Sequence, residues 1–330
     1  MNSDQIQNLF KQFHKTRVLI VGDVMVDSYI IGKVDRVSPE APVPVVDVTG
    51  FENRLGGAGN VALNIKSLGA TPILCSVIGT DKEGIDLINI MKEQGLSFKA
   101  LVQSDKRKTT TKTRVLGNKH QLLRIDHEIT TDIDVVDSFL LEQQFKEELE
   151  NVDVVIFEDY NKGVLHASNI EVLINLCREK GIPTIVDPKK ANFLSYKNVT
   201  LFKPNLKEIK EGLKIDYDLD TRELVEKAIT NLKKKLNNVM TLVTLSERGV
   251  VIEDQGDFTH IPAHLRNIAD VSGAGDSVVS VAALCLASKA KPSVIAEISN
   301  LAGGLVCEKT GVVPVDYKLL LEETLKVFHT

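Results

Sequence analysis

Short apolar runs alternate with helix patterns along most of the chain, and this alternation limits the folds open to it. The apolar runs are continuous, as expected for strands buried on both faces of a parallel sheet. The clearest runs are residues 17–23, 71–79, 152–159, 182–188, 199–205 and 239–249. Helix patterns lie between or beyond them at residues 60–68, 82–94, 135–149, 167–180, 221–236 and 293–310. The order predicts an α/β fold: a doubly wound, mainly parallel sheet with helices on both faces.

Two segments break this alternation and predict a small second sheet. Residues 29–50 carry prolines and valines without a helical period, and residues 97–127 mix basic and apolar positions along β-prone sequence. We interpret both as lid strands that cover one edge of the main sheet. No low-complexity linker or internal repeat divides the chain, so we expect a single domain over residues 1–330. The first 17 residues have the pattern of a short amphipathic helix.

The charge balance argues against some classes of partner. The formal net charge is −5 and the isoelectric point about 5.9, which disfavours nucleic acid and anionic membranes. No apolar run reaches the length of a transmembrane helix, and the amino terminus lacks the apolar stretch of a signal peptide. The cysteines lie far apart in apolar surroundings, which predicts buried, reduced thiols and a cytoplasmic protein.

Polar residues gather at the ends of the predicted strands. They are Asp23, Asp27, Glu158, Asp159, Asp187, Lys189, Lys203, Asn205, Ser246 and Glu247. In open parallel sheets, ligands bind outside the carboxyl ends of the strands. Any one of these residues could simply cap a helix or form a turn. Together they predict a binding site at this edge.

Two glycine clusters each precede a helix pattern. The stretch "DVSGAGDS" at 270–277 opens an apolar helix, whose free N–H groups and partial positive charge can bind an anion. The stretch "RLGGAGNVALNIKSLGA" at 54–70 opens another helix and could bring backbone and amide donors to a hydroxylated ligand. Considered alone, the cluster at 270–277 is better explained as a glycine-rich turn before a core helix, and a tight turn into a packed helix explains the cluster at 54–70 equally well.

The two clusters resemble the signatures of a known family. Residues 56–62, with Gly69 and Gly79 beyond, resemble the first signature of the PfkB (ribokinase-like) carbohydrate kinases, and residues 270–277 resemble the second. Residues 205–208, "NLKE", match the family's NxxE motif between them. Val281 stands where the second signature usually has Ala or Gly. The resemblance implies a ribokinase-like fold with a small β-sheet lid.

Further segments resemble one branch of that family. They are "VGDVMVDSYIIGKVDRVSPEAPVPVVDV" from residue 21, "LLRID" at 122–126 and "EDYNKGVL" at 158–165. The branch is the D-glycero-D-manno-heptose-7-phosphate kinases, which also occur as the N-terminal half of the bifunctional ADP-heptose synthesis protein. The match runs from about residue 17 to 315, and no HxGH motif of a nucleotidyltransferase follows. The resemblance therefore implies a kinase domain without a nucleotidyltransferase domain.

The resemblance also implies the parts of a phosphoryl-transfer site. Backbone N–H groups of Gly273, Ala274 and Gly275 would form an anion hole, and Asp276 would take the proton of the acceptor hydroxyl. At a helix N-terminus this carboxylate should stay ionised and be a weak base in the ground state. The cofactors implied are ATP and Mg²⁺. A monovalent cation is a further candidate, with Asp270 beside it.

No GxxxxGK[ST] loop exists in the chain, so the nucleotide should bind in another way. The nucleotide-binding candidates are Asn205, Leu206, Lys207, Glu208, Ser246, Gly249 and Asn300. Glu208 would act on Mg²⁺ through water, because this ion keeps several of its waters and few carboxylates suffice to hold it.

The candidates for the acceptor sugar combine hydroxyl partners with cations. Hydroxyl partners are Asp23, Asp27, Gly57, Asn60 and Asp159. Candidates for a substrate phosphate are Lys112, Arg114, Arg124, Lys162 and Lys189. The sequence does not choose among these cations, and basic residues on an edge strand also serve to prevent aggregation.

We therefore expect an ATP-dependent kinase that phosphorylates the anomeric O1 of D-glycero-D-manno-heptose 7-phosphate, in the synthesis of ADP-heptose for lipopolysaccharide. The alternatives are a PfkB kinase for another sugar, sugar phosphate or nucleoside, and a non-catalytic sensor on the same fold. A Rossmann oxidoreductase is disfavoured because one glycine only follows the first strand. We expect a homodimer through the lid strands, with neither nucleic acid nor membrane as a partner.

Overall fold

The computed structural model describes residues 1–118, 120–264 and 266–329, apart from the side chain of His329. The strands are β1 (Arg17–Gly22), β2 (Val24–Val37), β3 (Pro44–Gly57), β4 (Thr71–Gly79), β5 (Leu101–Ser104), β6 (Thr111–Gly117), β7 (His120–His127), β8 (Val154–Glu158), β9 (Thr184–Asp187), β10 (Leu201–Phe202), β11 (Met240–Thr244), β12 (Val250–Asp254) and β13 (Asp257–Ile261). The helices are α1 (Ser3–Phe13), α2 (Ala58–Ser67), α3 (Lys82–Glu93), α4 (Val135–Glu148), α5 (Ala167–Glu179), α6 (Leu206–Leu213), α7 (Arg222–Leu236), α8 (Ala274–Ala287), α9 (Pro292–Cys307) and α10 (Tyr317–His329). Short 3₁₀ turns cover Leu149–Asn151 and Ser246–Arg248.

The main sheet has the order β13-β12-β11-β10-β9-β8-β1-β4-β5. Neighbours from β11 to β5 are parallel, and β12 runs antiparallel to both of its neighbours, β11 and β13. Each face of the sheet has its own apolar core: Val18 and Ile20 of β1 belong to one, Leu19 and Val21 to the other. Residues of α1, α2, α8 and α9 complete the first core, and residues of α4, α5 and α7 the second. The predicted mainly parallel sheet with helices on both faces is confirmed.

Several elements differ from the sequence prediction. The apolar run at 199–205 yields a strand of two residues only, because the chain turns at Pro204 into the cap of α6. The antiparallel pair β12–β13 was not predicted. It turns at Gln255 and Gly256, both at positive φ (50° and 96°), and its outer strand is half-exposed and lacks a continuous apolar run. The amphipathic helix at the amino terminus is confirmed as α1, which buries Ile6, Leu9, Phe10 and Phe13.

The small sheet exists and has the order β3-β2-β6-β7. It begins and ends elsewhere than predicted: β2 starts at Val24 and β3 continues to Gly57, beyond the range 29–50. The range 97–127 divides between the two sheets, because residues 101–104 pair in parallel with β4 at the edge of the main sheet. Leu101 and Val102 are buried there and cover an edge that would otherwise be open. We call the four strands β3, β2, β6 and β7 the lid.

The state of the cysteines and the apolar character of the helices bear on the compartment of the protein. The four cysteines are buried free thiols, as expected. Among the residues that the structure describes, no helix combines the length and the apolar character needed to cross a bilayer.

Candidate active site

The polar strand ends meet at one edge of the main sheet. Strand register places Gly22, Glu158 and Asp187 side by side at the carboxyl ends of β1, β8 and β9. Lys203 follows β10, and its ammonium lies 3.1 Å from Asp187 Oδ2. The edge predicted from the sequence is therefore a contiguous, charged surface beside the N-terminus of α8.

Gly273 sets the start of α8. It is the N-cap and has φ 79°, in the left-handed region that favours glycine. A Cβ at this position would lie 3.3 Å from Asn60 Nδ2. The Ala274 N–H already donates to the Val271 carbonyl at 3.3 Å, so Ala274 is the weakest of the predicted anion-hole donors. The other N–H groups of the first turn have no acceptor within their own helix.

Asp276 lies in this first turn and is buried. Its Oδ2 accepts a hydrogen bond from Asn60 Nδ2 at 2.6 Å, and its Oδ1 accepts one from the Tyr160 hydroxyl at 3.0 Å. Burial raises the pKa of Asp276 to about 6, with Asp187 adding to the rise and the two donors opposing it. The expectation of an ordinary, weakly basic carboxylate at a helix end is wrong here, because desolvation outweighs the helix dipole.

Asp23, in the one-residue link between β1 and β2, holds the loop that carries Tyr160. It accepts hydrogen bonds from the N–H groups of Tyr160 (2.7 Å), Lys162 (3.0 Å) and Val164 (3.1 Å). Burial, and then the charge of Asp159, raise the pKa of Asp23 to about 6. The contacts of Asp23 are thus structural, and its predicted contact with a sugar hydroxyl stays a prediction.

Asp159 also binds the protein itself. Its Oδ2 accepts from the Tyr196 hydroxyl at 2.7 Å and from Asn192 at 3.1 Å, and its Oδ1 accepts from the Asn161 N–H at 2.8 Å. The side chain is buried, and burial raises its pKa. The structure gives Asp159 the role of fixing the loop after β8, so its predicted contact with substrate stays a prediction.

Gly57 is needed where the lid joins α2. It has φ 57°, and a Cβ there would lie 2.4 Å from the Asp23 carbonyl oxygen. The same carbonyl accepts a hydrogen bond from the Ala58 N–H at 3.0 Å. The glycine therefore allows the junction of β1 and β2 to approach the start of the helix that carries Asn60.

A cavity of about 290 Å³ lies between the lid and α2. Asp27, Asn60, Tyr29 and Arg54 are among the residues that line it. Asp27 pairs with Arg114 at 2.5 Å, and Arg54 lies over the Tyr29 ring at 5.0 Å. The predicted hydroxyl partners Asp27 and Asn60 thus share one cavity, and Arg54 is a cation beside it that the sequence analysis did not select.

The basic residues predicted to hold a substrate phosphate are each paired with a carboxylate. Glu128 joins Lys162 (2.7 Å) and Lys112 (3.1 Å), which links the lid to the loop after β8. Arg124 pairs with Asp126 on the lid, and about half of its side chain is exposed (52%). The structure brings Lys162 close to the site and leaves Arg124 on the outer part of the lid.

Lys189 bridges two carboxylates. It lies 2.9 Å from Glu208 Oε1 and 3.6 Å from Asp187 Oδ1. Burial opposes its charge, but Asp187 and Glu208 raise the pKa of Lys189 well above its ordinary value. It stays a cation at every physiological pH and connects the nucleotide candidates to the strand ends.

The NxxE stretch forms a capping box. Asn205 Oδ1 accepts from the Glu208 N–H at 2.9 Å, and Glu208 Oε2 accepts from the Asn205 N–H at 2.8 Å. Both residues therefore have a structural function at the start of α6. Lys207 is largely exposed (84%) and Leu206 packs against the core beside it.

The remaining nucleotide candidates lie next to this cap. Asn205 forms a parallel bridge with Thr244, so the turn at Ser246–Arg248 follows directly beside it. Gly249 has φ 86°, and a Cβ there would lie 2.6 Å from the Pro262 carbonyl carbon. Asn300 Nδ2 donates to the Pro262 carbonyl oxygen at 2.9 Å. The structure thus brings the predicted nucleotide residues together at one end of the edge.

Asp270, the candidate for a monovalent-cation site, binds two backbone groups. It accepts from the Ser272 N–H at 2.9 Å and the Gly311 N–H at 3.0 Å. These contacts hold the turn before α8, and a cation there stays a prediction.

A model of the pfkB family carbohydrate kinases matches residues 15–316. The chain belongs to this family. It is 39% identical over 299 residues to the bifunctional protein HldE of Campylobacter curvus (strain 525.92), and the match covers 90% of this chain and 62% of that protein. The chain therefore spans less than two thirds of this relative's length.

Solved structures confirm the fold of this pfkB family member. Phosphofructokinase-2 from Escherichia coli in complex with fructose-6-phosphate matches with TM-score 0.78 and 20% identity, over 96% of this chain and 99% of that one. Arabidopsis thaliana ribokinase complexed with ribose and ATP matches with TM-score 0.72 and 16% identity, over 93% and 99%. At these identities the likeness shows the ribokinase-like fold alone, as predicted.

Four residues of the site have no individual role predicted from the sequence. Glu158, Asp187 and Lys203 are among the polar strand ends that predict the site as a group, and that position was the available signal. Tyr160 lies in the stretch 158–165 that resembles the heptose branch, but no local signal indicates its contact with Asp276, which spans 116 residues of chain.

Proposed function

We propose that this chain transfers the γ-phosphoryl group of ATP to the anomeric O1 of D-glycero-D-manno-heptose 7-phosphate, giving the 1,7-bisphosphate. The proposal rests on the position of Asp276, a buried carboxylate in the first turn of α8, three residues after the N-cap Gly273, whose backbone is left-handed. A base directly beside a helix N-terminus can take a hydroxyl proton while the helix end binds the transferring group. The relatives named HldE support the heptose branch.

The pKa of Asp276 suits this role. With a pKa of about 6, the carboxylate is ionised at neutral pH and is a stronger base than an ordinary aspartate. Phosphoryl transfer requires positioning and neutralisation of charge more than covalent chemistry. The ammonium groups of Lys189 and Lys203 lie beside Asp187 at the same edge and supply positive charge for phosphate oxygens.

The side chains at this edge are of the chemical types that bind a Mg²⁺–nucleotide complex. Glu208 offers carboxylate oxygens, the ligands that Mg²⁺ prefers. Because Asn205 and Lys189 already occupy the oxygens of Glu208, contact through water fits better than direct ligation. When bound, the complex supplies the phosphoryl group. The protein's part is to hold it beside α8, to exclude water with the lid and to accept the proton at Asp276.

The test is ADP release by the purified protein with Mg-ATP against a panel of sugars and sugar phosphates, with Asp276→Asn alongside. We expect strong turnover on the heptose 7-phosphate and loss in the variant. Turnover on another sugar would replace the substrate and keep the mechanism. ATP binding without turnover on any sugar would contradict the kinase proposal and favour a sensor.

We also propose a homodimer formed by the lid. The lid exposes a set of large apolar side chains, of a kind that marks interaction surfaces on soluble proteins. They are Ile31, Val37, Val43, Val48, Phe51, Leu122, Leu123 and Ile125. Sedimentation should give twice the chain mass of 36.3 kDa for the wild type and the chain mass for Phe51→Asp. A monomeric wild type at micromolar concentration would contradict it.

The same proposal includes a cellular compartment and a biosynthetic pathway. A heptose 1,7-bisphosphate is a precursor of ADP-heptose, which implies a role in lipopolysaccharide synthesis. The buried free thiols support the cytoplasm as the compartment, because such thiols persist in reducing surroundings. We propose that the chain forms a single kinase domain to which the lid belongs.

A further inference from the structure

Two other buried carboxylates lie close to Asp276. Carboxylate oxygens of Glu158, Asp187 and Asp276 all lie within 4.8 Å of one another, and the three side chains are buried. Like charges this close favour the protonated form of at least one member. A protonated Asp276 could not accept a proton from a substrate, so something in the site must keep it ionised.

Among the residues that the structure describes, the charged and polar groups near Asp276 lie on several neighbouring elements. They are Glu158 on β8, Asp187 on β9, Lys189 after β9, Asn60 on α2 and Tyr160 after β8, with Lys203, after β10, bound to Asp187. Both ammonium groups are directed to Asp187, and Lys189 also binds Glu208. Hydrogen bonds to the oxygens of Asp276 itself come from Asn60 and Tyr160.

Tyr160 is held in place from two sides. Its N–H donates to Asp23, and two further N–H groups of the same loop donate to that carboxylate. Arg107 donates to the carbonyls of Lys162 and of Thr131, which ties the loop to the segment before α4. The Lys189 ammonium lies 5.2 Å from the centre of the Tyr160 ring. A hydroxyl fixed in this way donates from a constant position at little cost in entropy.

We propose that Tyr160 is a positioning residue for phosphoryl transfer: its hydroxyl, fixed through Asp23, orients Asp276 and keeps that carboxylate ionised against its burial and the charge of Asp187. The inference rests on the proposed function, in which Asp276 is the base. A hydrogen bond to the charged form of an acid favours that form. Without the tyrosine hydroxyl, the neighbouring carboxylates shift Asp276 towards its protonated form at neutral pH.

The test compares wild type, Tyr160→Phe and Tyr196→Phe between pH 5 and 9, with Mg-ATP and the heptose 7-phosphate. Tyr196 is the matched control, because its buried hydroxyl also donates to an aspartate, Asp159, but does not contact Asp276. We expect Tyr160→Phe to move the acid limb of kcat/KM upward by about one pH unit. The loss should be about fivefold near pH 6, approach tenfold near pH 5 and be small near pH 9.

Two results would overturn the inference. One is an acid limb at the same pH in wild type and Tyr160→Phe; the other is an equal loss at every pH, which would indicate a substrate contact or general damage. Tyr196→Phe should lower the melting temperature and leave the acid limb in place.

A second measurement needs no sugar. The carboxyl resonance of Asp276, assigned in ¹³C-aspartate-labelled protein by its absence from Asp276→Asn, should titrate at higher pH in Tyr160→Phe than in wild type. If the wild type phosphorylates no sugar, the proposed function fails, and this titration still tests the role of Tyr160. An unchanged titration would refute the inference while leaving the kinase proposal intact.

Discussion

Asn60 donates a hydrogen bond from Nδ2 to Asp276 Oδ2 at 2.6 Å, and so joins the two glycine clusters, although 216 residues of chain separate the two residues. Replacing Asn60 by Asp removes this donor and places another carboxylate against Asp276. We expect kcat/KM at pH 7 to fall by roughly 100-fold or more. Activity assays with Asn64→Asp as control test this. Asn64 lies one turn later on α2 and does not bind Asp276. Its Oδ1 accepts from Val315 and Ser277, bonds that aspartate retains, whereas the bond from its Nδ2 to the Asn60 carbonyl is lost, so this control measures the cost of a buried Asn→Asp change.

Asp276→Asn should abolish turnover and stabilise the protein. A general base contributes roughly 10²- to 10⁴-fold to the rate. The folded-state pKa of about 6 exceeds the ordinary value of 3.8, so ionisation of Asp276 destabilises the folded state as pH rises through that window. Urea unfolding at pH 8 should show the variant to be more stable by up to about 3 kcal/mol. A less stable variant would contradict a raised pKa of Asp276 in the folded state.

The wild-type pH profile follows from the same group. Below a pH of about 6, Asp276 takes up a proton and can no longer accept one. The value of kcat/KM should therefore fall about tenfold per pH unit on the acid side. Initial rates measured at subsaturating sugar between pH 4.5 and 8 check this, with melting temperatures recorded to exclude unfolding. An acid limb centred near pH 4 would show that burial does not control the base.

Glu158→Gln should also stabilise the protein. Glu158 is fully buried, and neither carboxylate oxygen has a hydrogen-bond partner among the described residues. Burial raises its pKa well above the ordinary value, and Asp187 and Asp276 raise it further. The wild type therefore loses stability as pH rises above about 4.5, the ordinary value of this group. The difference between variant and wild type should be small near pH 4 and grow towards pH 8.

Glu208→Gln should raise the Mg²⁺ concentration required for half-maximal turnover by roughly tenfold at saturating ATP. A carboxylate holds the waters of Mg²⁺ more strongly than an amide does. Glutamine can keep the capping box with Asn205 but loses the charge that pairs with Lys189 at 2.9 Å, so we expect a folded variant with a lower melting temperature. Glu211→Gln, on the same helix but partly exposed, is the control and should leave the Mg²⁺ requirement unchanged. Equal requirements in both variants would exclude Glu208 from the metal site.

The sequence predicted the main sheet because its buried strands are continuous apolar runs, a local signal that needs no partner. It did not predict β12 and β13, where one strand is half-exposed and a two-residue turn replaces a helix. The lid was predicted as a sheet but with shorter strands. Where β2 and β3 leave the core, at Val24 and Gly57, apolar residues continue without a change of pattern.

The site was predicted in part, for a physical reason. Residues of the glycine clusters and the strand ends carry local signals, and the structure brings Asn60 and Asp276 into contact. The pKa of Asp276 depends instead on desolvation and on Asp187, neither of which is local in sequence. Asp23 is a second case: a carboxylate at a strand end suggested a ligand contact, which stays a prediction, and the structure adds its bonds to a loop 137 to 141 residues away, for which there was no local signal.

The lid joins the core without a linker. One residue, Asp23, separates β1 from β2, and β3 passes directly from Gly57 into α2. A rotation of the lid about these two points would move Asp23, whose carboxylate binds the loop of Tyr160, and Gly57, three residues before Asn60. The orientation of the lid would therefore be coupled to the positions of the two side chains that donate to Asp276, whichever ligand or subunit moves the lid.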